Sequence, residues 1–206
     1  MKPFLPLFVL NKLNNSYQQR EFDNWQKAGC PAPPPHFVKQ MAIEDYQRKS
    51  GYHVFIETGT FLGDMVEAQK DRFNKIISIE LAGHLYRKAK KRFRNNEKVT
   101  IVQGDSGKVL PEILNNIHEP VVFWLDGHYS AGVTAKGDKS CPIYEEIDAI
   151  FNRKNQFNHI ILIDDARLFT GKRDYPEVVK VTGYIRAKNS NYQLEIKDDI
   201  LCYWVN

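Results

Sequence analysis

The sequence has 206 residues, of which 42% are hydrophobic, 26% charged and 12% aromatic, and its net charge is +4. Those values exclude a disordered, collagen-like or disulfide-dense chain and fit one compact domain of ordinary size. So small an excess of positive charge does not mark a nucleic-acid binder without clustering. Three cysteines without a C-x-x-C spacing argue against a zinc knuckle or a disulfide framework, so a reducing cytoplasm is the expected setting.

The chain opens on MKPFLPLFVL, an apolar run interrupted by two prolines. It is much shorter than the roughly 20 residues that span a bilayer. The following NKLNNSYQQR supplies no small-x-small cleavage site. No membrane partner is expected, and the run is read as docking on the domain or on a partner subunit. A proline-rich stretch, Pro31-Ala-Pro-Pro-Pro35, then separates two predicted helices, at 16–27 and 37–49. Proline fixes φ and removes donors, so this stretch is a stiff connector. Residues 1–50 therefore read as an N-terminal cap or arm, distinct from a domain at 51–206 and compatible with a homodimer.

From Gly51 onward short β-branched runs alternate with helix-length stretches. The runs HVFIE (53–57), KIISIE (75–80), VTIVQ (99–103), VVFWLD (121–126) and HIILID (159–164) are continuously apolar, as strands buried on both faces of a parallel sheet should be. Helices are predicted at 64–71, 83–95, 107–116, 143–152 and 177–188. Finally YQLEIK and ILCYWV, separated by Asp198-Asp199, read as an antiparallel hairpin. The expected fold is α/β: a Rossmann-like, seven-stranded, mostly parallel sheet with helices on both faces and an antiparallel C-terminal hairpin.

Ligands of open α/β sheets bind at the carboxyl ends of the strands, and all five parallel strands end in a carboxylate or a glycine turn. The first ends in Glu57-Thr-Gly59-Thr60-Phe-Leu-Gly63, the second in Glu80, and the third runs into Gly104-Asp105-Ser106. Gly59 permits a tight turn with close backbone approach, and Gly63 lets the next helix pack near the strand, with or without a ligand. Thr60 and Phe61 stand around the place of the second glycine of a dinucleotide fingerprint, which disfavours a nicotinamide cofactor. Glu80 suits a ribose diol or is a solvated strand end. Asp105 suits an adenine amino group or caps the next helix, a place Ser106 could also fill.

The set ETGTFLG, SIE and QGDS resembles the cofactor half of class I S-adenosylmethionine-dependent methyltransferases. The resemblance implies that Gly59, Thr60 and Gly63 pass under the methionine and ribose, and that Glu80 holds the ribose hydroxyls. It also implies that Asp105 and Ser106 meet the adenine, and that Glu57 lies near the methionine ammonium.

Strand four ends in Asp126-Gly-His128-Tyr129 and strand five in Asp164-Asp165. Three converging carboxylates need protons, donors or a cation, unless solvent screens them. Magnesium would serve as the cation; alternatively, Asp164 or Asp165 caps a loop or pairs with Arg167. His128 has the near-neutral titration of a general base, with a metal-ligand role as second choice. Tyr129 lines the pocket or packs in the interior. The other five histidines read as structural. The glycine-rich loop 130–142 is either an acceptor-site loop or a surface excursion.

The D-x-H and DD pattern resembles metal-dependent small-molecule and sugar O-methyltransferases, as does GCPAPPPHFVKQ followed by a helix. That resemblance implies a divalent ion on Asp126, Asp164 and Asp165, His128 as base, and a small hydroxylated acceptor such as a sugar or glycosylated natural product. Asp165 stands where those families often place asparagine, so this site is the more negative one. The rival readings are an RNA methyltransferase, an NAD-dependent oxidoreductase and a non-catalytic cofactor-binding relative. The basic run Lys88, Lys90, Lys91, Arg92 and Arg94 supports the first only weakly, because a solvated helix face explains it.

Overall fold

The computed structural model describes residues 16–127, 141–152 and 157–206. The apolar opening run, His128, Tyr129 and most of the loop at 130–142 lie outside the described residues.

Seven strands form one sheet in the order β3-β2-β1-β4-β5-β7-β6. They are β1 (Val54–Thr58), β2 (Lys75–Glu80), β3 (Val99–Gln103), β4 (Val121–Leu125), β5 (Ile160–Ile163), β6 (Gln193–Lys197) and β7 (Ile200–Trp204). The first five are parallel. β7 runs antiparallel to both β5 and β6. β1, β4 and β5 are buried along their whole length, which is why they read as unbroken apolar runs. β3, at one edge, is half exposed. The β6–β7 turn places Asp198 and Asp199 at φ 51° and 63°, the left-handed pair that a two-residue hairpin twist requires.

Among the described residues, seven α-helices connect and flank the strands: α1 (Ser16–Lys27), α2 (His36–Ser50), α3 (Asp64–Gln69), α4 (Gly83–Arg92), α5 (Ser106–Leu114), α6 (Ile143–Phe151) and α7 (Val178–Lys188). Alternate residues of one strand feed opposite cores. Val54 and Ile56 join Leu110 of α5, Ile147 of α6 and Val181 of α7. Phe55 joins Ile43 of α2, Met65 of α3 and Ala89 of α4. Three helices thus cover each face. Phe22 and Trp25 of α1 make a small separate cluster with Phe37 and Val38 of α2. Burying a side chain of this size contributes about 2 kcal/mol, so α2 is fastened twice, near its start by Phe37 and Val38 to α1 and at its middle by Ile43 to the sheet.

Among the described residues no helix is long and apolar enough to cross a membrane.

Candidate functional site

The strand order sets the site. The carboxyl ends of β3, β2, β1, β4 and β5 stand side by side, because Glu57 is in register with Ser78 and Trp124, Glu80 with Gln103, and Leu125 with Ile163. The acidic residues that follow these strands therefore line one edge of the sheet.

On the β1–β3 side, the glycine turn is held from beneath. Glu80 is 4% exposed; its Oε2 accepts the N–H of Phe61 at 2.8 Å and its Oε1 the N–H of Ala82 at 2.8 Å. The solvated-carboxylate alternative for Glu80 is thereby excluded. A carboxylate has about four lone-pair sites, so two remain to accept from a diol. Phe61 sits at φ 49°, a conformation unusual for a bulky residue and typical of functional turns. Glu80 fixes it there. Thr60 is buried and its hydroxyl shares a 2.6 Å hydrogen bond with Ser78. Ser78 in turn donates to Glu57. Burial pushes the Glu57 carboxyl up to about 8, the Ser78 hydrogen bond opposing and nearby Glu80 adding to the shift.

The two glycines have separate reasons. A Cβ on Gly59, at φ 88°, would stand 2.4 Å from the carbonyl oxygen of Asp126; the close approach required here is between the first turn and the end of β4. A Cβ on Gly63, at φ 82°, would meet the Phe93 ring at 2.7 Å, so this glycine packs the turn against the end of α4. Arg92 secures the same turn, binding the Leu62 carbonyl and Asp64 at 2.7 Å each. The other four residues of the basic run are exposed.

Asp105 caps α5: its Oδ1 accepts the Gly107 N–H at 3.0 Å. Ser106 instead donates to Glu146 of α6 at 2.6 Å. Glu146 is fully buried, and among the described residues its second oxygen has no partner. Burial pushes its carboxyl up to about 7, against hydrogen bonds from Ser106 and Thr58. The Thr58 hydroxyl also accepts the N–H groups of Asp126 and Gly127, at 3.2 and 3.1 Å. Thr58, Ser106, Gly127 and Glu146 thus form one knot beneath the first and fourth strand ends. Glu146 escaped sequence reasoning because an acidic residue in a first helical turn is ordinary.

On the β4–β5 side, Asp164 and Asp165 meet a residue from α2, and Asp126 lies within reach of their charge. Lys39 Nζ lies 2.5 Å from Asp164 Oδ2 and 3.4 Å from Asp165 Oδ1. Burial alone would lower the lysine's pKa, but the attraction of Asp164, reinforced by Asp165 and Asp126, raises it. Burial and the charge of Asp164 hold the Asp126 carboxyl well above the usual range, with Lys39 opposing. Asp164, 1% exposed, is pushed up to about 6 by burial, with Lys39 again opposing. Asp165 adopts φ 56° and pairs with Arg167 at 2.8 Å, one of the alternatives open from the sequence. Its N–H also bonds Asp164 Oδ1 at 2.7 Å.

This arrangement does not fit the divalent ion expected on Asp126, Asp164 and Asp165. The Lys39 ammonium stands against the Asp164 oxygen that would have to ligate it. Among the described residues, no group of three or more His, Cys, Asp or Glu side chains is placed to hold a metal ion. The sequence had left protons, donors and a cation open as ways to reconcile three carboxylates. The observed cation is a lysine side chain.

No protein-family model matches the sequence, and no curated protein matches it. Solved structures do. An O-methyltransferase from Bacillus cereus in complex with S-adenosylhomocysteine superposes with a TM-score of 0.61 at 13% identity, covering 91% of this chain and 90% of that one. The chain has a methyltransferase fold. The S-adenosylhomocysteine-bound methyltransferase PaMTH1 from Podospora anserina gives 0.58 at 13% identity over 100% of both chains. The O-methyltransferase TomG from Streptomyces achromogenes, involved in tomaymycin synthesis and bound to S-adenosylmethionine, gives 0.54 at 13% identity over 91% and 88%.

Proposed function

We propose that this protein is an S-adenosylmethionine-dependent O-methyltransferase acting on a small hydroxylated acceptor, a sugar or glycosylated natural product, in the cytoplasm. The observation that carries the reading is Glu80, a buried acid at the tip of β2 that locks the Gly59–Gly63 turn on a methyltransferase fold. In this reading the ribose diol of the cofactor bonds Glu80, the adenine lies by Asp105 and Ser106, and the methionine ammonium lies toward Glu57. The acceptor enters over Asp126, Asp164 and Asp165.

S-adenosylmethionine, when bound, would supply an electrophilic methyl group for the acceptor oxygen, with its sulfur leaving as the neutral thioether, and the acceptor's hydroxyl proton would pass to a base of this chain. His128 is the residue proposed for that base. Catalysis rests chiefly on holding oxygen, carbon and sulfur in line, a contribution of about 7–11 kcal/mol where alignment is good. Residues 1–50 are read as the cap of this site, with α2 already reaching it through Lys39.

Calorimetric titration of the full chain tests the reading. S-adenosylmethionine is expected to bind at one site per chain while NAD gives no heat. Binding of NAD alone, or of neither, would refute it.

A further inference from the structure

We propose that Lys39 is the resident cation of the acidic mouth, taking the place of a divalent metal ion there. Asp164 is almost wholly inaccessible to water, and an isolated buried carboxylate is costly unless paired. Its Oδ2 is met by the Lys39 ammonium at 2.5 Å, and the same ammonium reaches Asp165 at 3.4 Å. Asp126 completes the set through its attraction for the lysine. A hard divalent ion would need oxygen ligands at about 2.0–2.6 Å. An ion so close to Asp164 Oδ2 would face a like charge already against that oxygen.

The ammonium is held on a rigid support. Val38, beside it in sequence, is buried against α1, and Ile43, one helical turn further on, is buried against the sheet. From outside, Arg167 bonds Asp165 and Asp199. Lys39 and Arg167, the latter shared with Asp199, thus bring two positive charges to the mouth, and a side-chain cation occupies the place a divalent ion would take against Asp164. Where the methyltransferase reading holds, on which this consequence rests, transfer is insensitive to chelators.

The test needs neither cofactor nor acceptor, so its outcome is independent of the methyltransferase reading. Manganese is titrated into the full-length protein at neutral pH, following water-proton relaxation, with far-ultraviolet circular dichroism as the check of folding. The wild type is expected to show no site lost on Asp164→Asn at concentrations up to about 1 mM, the weak end of protein sites for such ions. Lys39→Ala is expected to gain one site, at least about tenfold tighter than any wild-type binding, which Asp126→Ala then removes. Lys39→Gln, which keeps the length of the side chain and a donor for Asp164, serves should the alanine variant not fold. A wild-type site abolished by Asp164→Asn would overturn the assignment. So would a folded Lys39 variant that gains no affinity.

Discussion

The two halves of the carboxyl edge solve opposite problems. Around β1 to β3, acids are placed to hold backbone: Glu80 grips Phe61 and Ala82, and Asp105 caps α5. Around β4 and β5, acids are placed against one another and reconciled by imported cations, Lys39 from α2 and Arg167 from the segment after β5. The first half is a cradle of hydrogen bonds between carboxylates and the backbone turns that follow neighbouring strands. The second is an electrostatic assembly that takes Arg167 from two residues along and Lys39 from 125 residues away. Changes in the cradle should therefore strike cofactor binding and folding together, whereas changes in the acidic mouth should separate turnover from cofactor affinity.

The largest effect is expected at Gly59. Alanine there meets both a left-handed backbone and the Asp126 carbonyl, a combined cost of about 3 kcal/mol. Denaturant unfolding should show that loss, and S-adenosylmethionine binding should fall with it. Next comes Glu80→Gln, which offers one acceptor oxygen where two backbone donors converge. A loss of about 2 kcal/mol, or roughly 30-fold in cofactor affinity, is expected by calorimetry. Asp126→Ala sharpens the contrast from the other side: methyl transfer should be lost while cofactor affinity stays within about threefold. Equal loss of both would merge the two halves.

A pH dependence completes the set. Burial pushes the Glu57 and Glu146 carboxyls up to about 8 and about 7, above their ordinary values. The folded state therefore holds these protons more tightly than the unfolded chain does. Their contribution to stability is fully present below the unfolded values and is lost as pH rises through about 7 and 8. Thermal melts should accordingly give a higher Tm at pH 6 than at pH 8.5. A Tm that rises across that interval would contradict the buried, protonated state of Glu57 and Glu146.

Much of this was legible in the sequence for local reasons. The parallel strands announce themselves because both faces are buried, and Asp198-Asp199 marks its hairpin because that pair tolerates left-handed φ. The acids at the strand ends were legible for the same reason: a strand's end is visible wherever its apolar run stops. Lys39 was not. Its partner Asp164 lies 125 residues away, and within α2 it looks like any lysine on a helix surface. Glu146 was hidden likewise, since nothing in PIYEEI distinguishes the glutamate that turns inward from its neighbour Glu145. Charge pairing across the fold has no periodicity to betray it, which is why the mouth read as a metal site until α2 was placed.

A crystal structure of the full chain with S-adenosylhomocysteine would test the division of the edge most directly. The account requires the nucleoside over the β1–β3 ends, its ribose hydroxyls within hydrogen-bond distance of Glu80, and Lys39 still against Asp164. A nucleoside lodged instead over Asp126 and Asp164, with Glu80 untouched, would contradict it.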